Sequence, residues 1–397
     1  MLSNSGSWLQ NVSVPYVIYQ LTHSSFFVGA STFAQFIPGV LFGPWGGSLA
    51  DRCDRRRVLL VTQSLLAVAA LALWASWSLG MHNRFGLLAI VAATGTLSGL
   101  NIPSWQAFVP SLVPREDLLS AITLNSLQFN AARALGPAIA GLILVRSGPG
   151  TAFLLNALSF GFVLASLMLL RQRSGPPAIR PSGSVARQFT SAMRYVRQRR
   201  GITVSLVVSA LIALLGNPIT QFIVVYTEDI YHGGPLALGL LSAAMGIGAL
   251  LSAPLVSGWD AVMKRATIVR IGLPLYGISC AIFGASTTIH VGFGALVLTG
   301  AGFLAVISAS NTAVQIIVAD SMRGRVLASR VMTFTLAYSV GGLAQGWSAE
   351  HFGLRLTVTT AGVLLAIAAL TMALWPGLLD SLDDPPDRLA DGRIEGN

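Results

Sequence analysis

Side chains able to bind or carry charge are scarce in this chain, so the places where they gather are informative. The string "GGSLADRCDRRRVLL", Gly46 to Leu60, sets Asp51 and Asp54 among Arg52, Arg55, Arg56 and Arg57. A carboxylate beside guanidinium groups makes charge-assisted hydrogen bonds, and it is also attracted to the N-terminus of a neighbouring helix. Arg133 lies inside a long apolar run and shares roughly one helical face with Asn125 and Gln128. Three pairs of hydrogen-bonding residues recur at i and i+4: Asn101/Trp105, Asn217/Gln221 and Asn311/Gln315. Each pair presents two polar groups on one helical face. Glu228 and Asp229 close another apolar run. Such groups can bind, orient or carry a proton. The chain has no G-x-x-x-x-G-K-[ST], H-E-x-x-H or G-x-S-x-G string, so ATP hydrolysis and proteolysis lose their usual signatures and no enzyme is expected. Cys53 and Cys280 have neither metal-site nor disulfide spacing, and no metal or cofactor is expected.

These residues sit in a chain of 397 residues that is 53% hydrophobic and 10% charged, where a soluble domain carries about 25% charge. Its mean hydropathy is +0.69. A helix needs about 20 mostly apolar residues to cross the hydrocarbon. The chain offers twelve such spans: 1–21, 27–50, 58–80, 86–110, 119–146, 150–170, 201–227, 236–258, 266–289, 291–318, 326–349 and 355–376. Their length excludes barrel strands, and lipid leaves no partner for unpaired backbone, so they are helices. The first span carries Asn4, Gln10 and Asn11 and begins at Met1 without a charged leader. That pattern predicts a start placed late or a truncated first helix.

Charge is distributed unevenly. The net charge is +10, and all basic residues except Lys264 are Arg. They cluster in alternate connections: 51–57, 111–118, 171–200 with eight Arg and no acid, 259–265 and 319–325. The remaining connections are poorer in Arg. This alternation follows the positive-inside rule, and it predicts cytoplasmic Arg-rich turns and cytoplasmic termini in a cell membrane. It argues for anionic lipid headgroups, not nucleic acid, as partners of the Arg run. Segment 171–200 reads as a linker followed by a short basic surface helix, and 377–397 as a disordered tail.

Six spans, a linker and six spans suggest duplication. Gly29/Gly239, Asn11/Gln221 and Asn101/Asn311 match at an offset of 210, Gly47/Gly258 at 211 and Arg115/Arg323 at 208. The expected fold is therefore all-α, with twelve transmembrane helices in two pseudo-symmetric six-helix bundles, 1–170 and 201–376. Such bundles place a substrate path between them near the midplane.

The turn quoted first carries a specific resemblance. "GSLADRCDRR", Gly47 to Arg56, resembles the signature that the major facilitator superfamily carries between its second and third helices. There the acid and basic residues form a cytoplasmic latch with the start of the eleventh helix. The resemblance implies Asp51 as the latch acid and Arg52 and Arg56 as basic partners, with Gly47 and Arg55 in the same turn. The other side of the latch would lie in "DSMRGR", at Asp320, Arg323 and Arg325. These Arg residues also serve to fix topology. Gly46 and Gly47 are expected to let helices approach. Asp54 stands where the family has glycine, and "GWDAVMKRATIV" lacks the matching acid, which predicts a lopsided latch. The strings "NIPSWQAFVPSLVPREDLLSAITLN", "ARALGPAIAGLIL" and "NTAVQIIVADSMRGRV" resemble the exporter branch that contains the enterobactin exporters and macrolide efflux pumps. "GPAIAG" resembles the antiporter motif of the fifth helix and marks Gly136, Pro137 and Gly141, with Ala140 in place of one glycine. Gly95 stands where many drug antiporters carry an Arg.

The expected activity is secondary active export of an amphipathic small molecule, drug-like or siderophore-like, by a monomer working against protons. Gln10, Asn11, Tyr16, Asn125, Gln128, Arg133 and the three i, i+4 pairs are candidates for the substrate cavity; Tyr19 and Phe36 could join them. Span five is expected to rock against Met245–Gly248 of span eight. No carboxylate lies deep in a span, so Glu228 and Asp229 are the candidates for coupling to protons. A lipid or lysophospholipid flippase on the same fold, or a non-transporting scaffold or sensor, are the alternatives.

Overall fold

The computed structural model describes residues 2–169, 185–259, 263–319 and 322–385. All its regular elements among these residues are helical. The first four helices are α1 (Leu2–Thr22), α2 (Ser25–Arg52), α3 (Arg55–Ser78) and α4 (Arg84–Phe108). Side-chain caps fix three of their starts: Ser24 for α2, Asp54 for α3 and Asn83 for α4. Each oxygen accepts from a backbone N–H that the first turn leaves without a partner. The run Leu118–Leu169 breaks at Gly148, whose φ of 73° and ψ of 174° are non-helical. Glycine takes that conformation at little cost, and Pro149 then suits the opening turn of the next helix. We denote the two arms α5 (118–147) and α6 (149–169).

The surface helix expected in the linker is α7 (Val185–Gln198). Next comes α8 (Arg200–Ile230), which widens into π-turns at Ile212–Gly216 and Tyr226–Ile230. Pro218 follows the first of these and cannot donate to the helical ladder. The chain ends with α9 (Gly234–Trp259), α10 (Arg265–Ala285), α11 (Ile289–Ile317), α12 (Arg323–Phe352) and α13 (Leu354–Leu374). Among the described residues, ten helical runs are long and apolar enough to cross a membrane, one of them holding the α5–α6 break. The exception is α1, whose polar residues lower its hydropathy.

Packing repeats between the two sets of six spanning helices. Second meets fourth: Gly39 and Gly46 of α2 lie on Gly99 and Leu100 of α4, and Gly248 of α9 lies on Val297 and Ala301 of α11. Third meets sixth: Leu66 and Ala70 of α3 pack with Ala157 and Phe160 of α6, and Gly277 of α10 meets Ala366 of α13. First meets fifth: Gly136 of α5 lies on Trp8 of α1, and Gly341 of α12 lies on Leu214 of α8. Small residues let spanning helices approach where lipid supplies no hydrophobic driving force. Away from these seams the helices expose apolar side chains, as at Val61, Leu65 and Val68 of α3, which are 59%, 45% and 60% exposed. A stripe like this suits lipid and is rare on a soluble monomer.

By proximity the chain forms two compact units, Met1–Pro181 with Gln221–Ala243 and Ser182–Thr220 with Ala244–Asn397. The tail expected to be disordered from residue 377 is docked over its described part, within the second unit. Leu379 and Leu382 are buried there. Asp383 caps α10, accepting from the backbone N–H of Arg265 at 3.1 Å and of Ala266 at 3.2 Å, and from Arg265 Nε at 3.0 Å. The carboxylate meets both the orphan N–H groups and a guanidinium, a combination that spacing alone does not reveal. Asp383→Ala is expected to cost about 1–2 kcal/mol, read as a lowered melting temperature in detergent. Asp383→Asn, whose single amide oxygen keeps part of the cap, is expected to recover part of it.

Candidate functional site

At the Arg-rich end, the turn between α2 and α3 divides its charges between two tasks. Arg55 donates to the Ala50 carbonyl at 3.3 Å and the Ala107 carbonyl at 3.2 Å. Arg56 donates to the carbonyls of Leu167 at 2.6 Å and Met168 at 2.9 Å. Both guanidinium groups thus sit on the C-terminal carbonyls of α2, α4 and α6, where a cation is favoured. Arg56, expected as a partner of the latch acid, is a helix cap. Asp51 is half-buried and Arg52 is exposed, and Asp51 carries no ion pair among the described residues. Gly46 faces Gly99, but no atom lies within 4 Å of a Cβ placed on Gly47, so only Gly46 makes the close approach expected of both. Across the sequence, Arg323 and Arg325 are exposed at the start of α12, while Asp320 lies outside the described residues.

The polar residues of α1 reach three different neighbours. Asn4 donates to Gln128 of α5 at 2.9 Å, and Gln128 donates to Asn125 at 3.3 Å. Gln10 accepts from Asn156 of α6 at 2.6 Å, and Asn11 accepts from Gln35 of α2 at 2.8 Å. Gln10 is 8% exposed, so it is turned into the bundle and away from the cavity surface expected of it. Tyr16 and Arg133 are half-buried.

The i, i+4 pairs fare differently. Asn101 accepts from Thr62 Oγ1 at 2.8 Å and Gln63 Nε2 at 3.4 Å on α3. Trp105 packs against the apolar cluster of Leu59, Phe108 and Leu167. This pair joins helices; the spacing correctly places both residues on one face but does not say which neighbour that face meets. Asn217 on α8 and Gln221 are both half-buried. On α11, Asn311 is half-buried and Gln315 exposed. With half-buried Ser308 they form a polar stripe at i, i+3 and i+7.

Asn311 has a partner that the sequence reading passed over. Arg330 of α12 is 9% exposed. Its Nη1 donates to Asn311 Oδ1 at 3.1 Å, its Nε to Ser209 Oγ of α8 at 3.1 Å and its Nη2 to the Ile307 carbonyl at 3.4 Å. The signal was present in "RGRVLASRVMTF", where an Arg follows the terminal basic pair into the apolar run.

At the opposite end of the first unit, α1 meets the end of α8. Tyr19 donates to Asp229, and Gln20 Nε2 donates to Glu228 Oε2 at 3.1 Å. Glu228 Oε1 is buried and accepts no hydrogen bond among the described residues. The antiporter-type glycines are close to other helices: Gly136 faces Trp8, and a Cβ on Gly141 would lie 2.6 Å from Gly239 Cα of α9. The close contact of span five with span eight is thus at Gly239. The expected Met245–Gly248 segment instead faces α11, where Gly248 meets Val297 and Gly300 meets Met245.

The family described as transmembrane secretion effector matches residues 1–383. The chain is 24% identical over 365 residues to the staphyloferrin A transporter of Staphylococcus aureus, covering 90% of this chain and 89% of that protein. It is 25% identical over 389 residues to the enterobactin exporter EntS of Citrobacter koseri, covering 95% and 90%. Its structure superposes on the crystal structure of the nucleoside transporter NupG with a TM-score of 0.74 at 12% identity, covering 94% of this chain and 98% of that one. That likeness is one of fold.

Proposed function

The chain belongs to the transmembrane secretion effector family of the major facilitator superfamily, and from that premise we propose that it exports amphipathic small molecules, drug-like or siderophore-like, by proton-coupled alternating access. The observation that carries this reading is the polar stripe Ser308, Asn311 and Gln315 on α11 together with half-buried Asn217 of α8. Polar groups exposed within a spanning helix have no favourable place against lipid, so they serve a water-filled path. Sparse hydrogen-bonding groups among apolar walls suit amphipathic cargo. The enterobactin exporter among its relatives supports an outward direction. The Arg-rich turns and both termini face the cytoplasm by the positive-inside rule. The exposed Arg194 and Arg197 of α7 lie among anionic headgroups. The protein works as a monomer.

In this reading Asp51 is the latch acid, with exposed Arg52 beside it in the same turn. Asp51→Asn is expected to slow export about tenfold, the equivalent of ~1.4 kcal/mol and the scale of one charge-assisted hydrogen bond. The rate is measured at matched protein levels; an unchanged rate removes the latch. The whole reading is tested by loading cells with amphipathic fluorescent dyes, with and without a protonophore. Cells bearing the chain are expected to lose at least one dye several-fold faster, and the protonophore to erase the difference. Equal dye loss with and without the chain across the screen overturns the reading.

A further inference from the structure

We propose that Arg330 and Asn311 form an anion subsite that receives a carboxylate on the transported molecule. The inference rests on the export reading and adds to it the chemical class of the cargo. Its starting point is a charge with no counter-ion among the described residues. Arg330 is nine-tenths buried in α12, among α8 and α11, and its hydrogen bonds go to a hydroxyl, an amide oxygen and a backbone carbonyl. No carboxylate among the described residues pairs with it. A guanidinium within a spanning helix costs at least about 2.5–3.5 kcal/mol on insertion scales. Neutral acceptors orient the group without neutralising it. An apolar side chain could occupy the same volume at lower cost, so the charge points to an opposite charge that arrives and leaves.

The geometry suits a carboxylate. A guanidinium has five N–H donors in a planar fork. Three are engaged, which leaves one on each terminal nitrogen, and the bond to Ile307 is the longest of the three at 3.4 Å. Two parallel N–H groups are the pattern that grips a carboxylate bidentately. Ser209 and Asn311 hold the fork in advance, so little order is lost when the anion binds. The approach is polar: Asn311 is half-buried and continues into Ser308 and exposed Gln315 on the same face of α11. At 1.5 Å per residue, Arg330 lies about 10 Å into α12 from Arg323, within the span and away from the terminal basic pair.

A carboxylate-bearing fluorescent dye and its methyl ester, bound to the purified full chain in neutral detergent, provide the test. The natural protein is expected to bind the acid at least tenfold more tightly than the ester. Arg330→Gln, which keeps donors but removes charge, should bring the acid-to-ester ratio close to one, and Arg330→Lys, which keeps charge but loses the fork, should give an intermediate ratio. Asn311→Asp supplies a fixed counter-ion beside the guanidinium and should also abolish the preference; it decides the matter if the Arg330 variants do not fold. An acid preference that survives both Arg330→Gln and Asn311→Asp overturns the proposal. So does its absence in the natural protein, or a parallel loss of acid and ester that marks Arg330 as only a clamp between helices. If added anionic phospholipid abolishes the preference while zwitterionic lipid does not, the occupant is a headgroup and the cargo assignment falls. Ester transport in proteoliposomes separates the two levels: ester moved without acid preference refutes the subsite alone, while acid preference without transport of either dye refutes export.

Discussion

Gly95→Val is expected to cut the yield of folded, monodisperse protein at least tenfold. Gly95 lies against the backbone of α2, where a Cβ would collide with the Gln35 carbonyl and stand 3.2 Å from that of Ala34. One turn on, a Cβ at Gly99 would lie 2.7 Å from Gly39 Cα. The obstacle is helix backbone on both sides, so no side chain can swing aside, and the helices must part along the seam. Overpacking commonly costs about 1–3 kcal/mol; here the added bulk also separates the contacts that glycine permits. Gly47→Ala is the matched control, because no atom lies within 4 Å of a Cβ there, and it should leave the yield unchanged. Size-exclusion profiles of fluorescently tagged protein make the comparison. The same contact explains why glycine stands where the resemblance to drug antiporters raised the prospect of an Arg: there is no space for one.

Glu228→Gln is expected to reduce export driven by a pH gradient more than tenfold while leaving cargo–cargo exchange intact. The glutamine keeps the size of the side chain and can still accept from Gln20, but it cannot gain or release a proton. Glu228 lies in the π-turn that ends α8, with one oxygen held by Gln20 and the other buried with no partner among the described residues. Its neighbours include Asp229, which accepts from Tyr19, and His232, whose Nδ1 lies 2.9 Å from the Glu228 carbonyl. A carboxylate tied to α1 through a neutral amide can change its grip on that helix as it takes a proton. Gradient-driven and exchange fluxes measured on the same vesicles separate coupling from misfolding. Unchanged gradient-driven export in the variant returns the role to another group.

The helices were legible in the sequence because their cause is local. Each spanning run is a length of apolar residues, while the caps Asp54 and Asn83 start α3 and α4 a few residues before the apolar runs begin. The tight contacts were partly legible, since "GPAIAG" advertises small residues. The partner of each small face was not, which is why the glycine facing Gly141 proved to be Gly239. The neighbours of the polar residues were not legible for the same reason. Gln10 and Asn11 occupy neighbouring positions, yet one turns to α6 and the other to α2. Periodicity fixes which residues share a face, while the neighbour met by that face depends on tertiary packing. Arg330 was passed over, and the docked tail was hidden by its many acids, one of which caps a helix 118 residues away.

The most direct measurement follows cargo and protons together. Purified protein is reconstituted into liposomes containing a pH-sensitive dye, and an amphipathic fluorescent cargo is given an outward gradient with no imposed pH difference. The account predicts that cargo efflux drives protons the other way, acidifying the lumen in natural-protein vesicles but not in protein-free ones. Cargo that leaves no faster than from protein-free liposomes, or that leaves without moving protons, would contradict it.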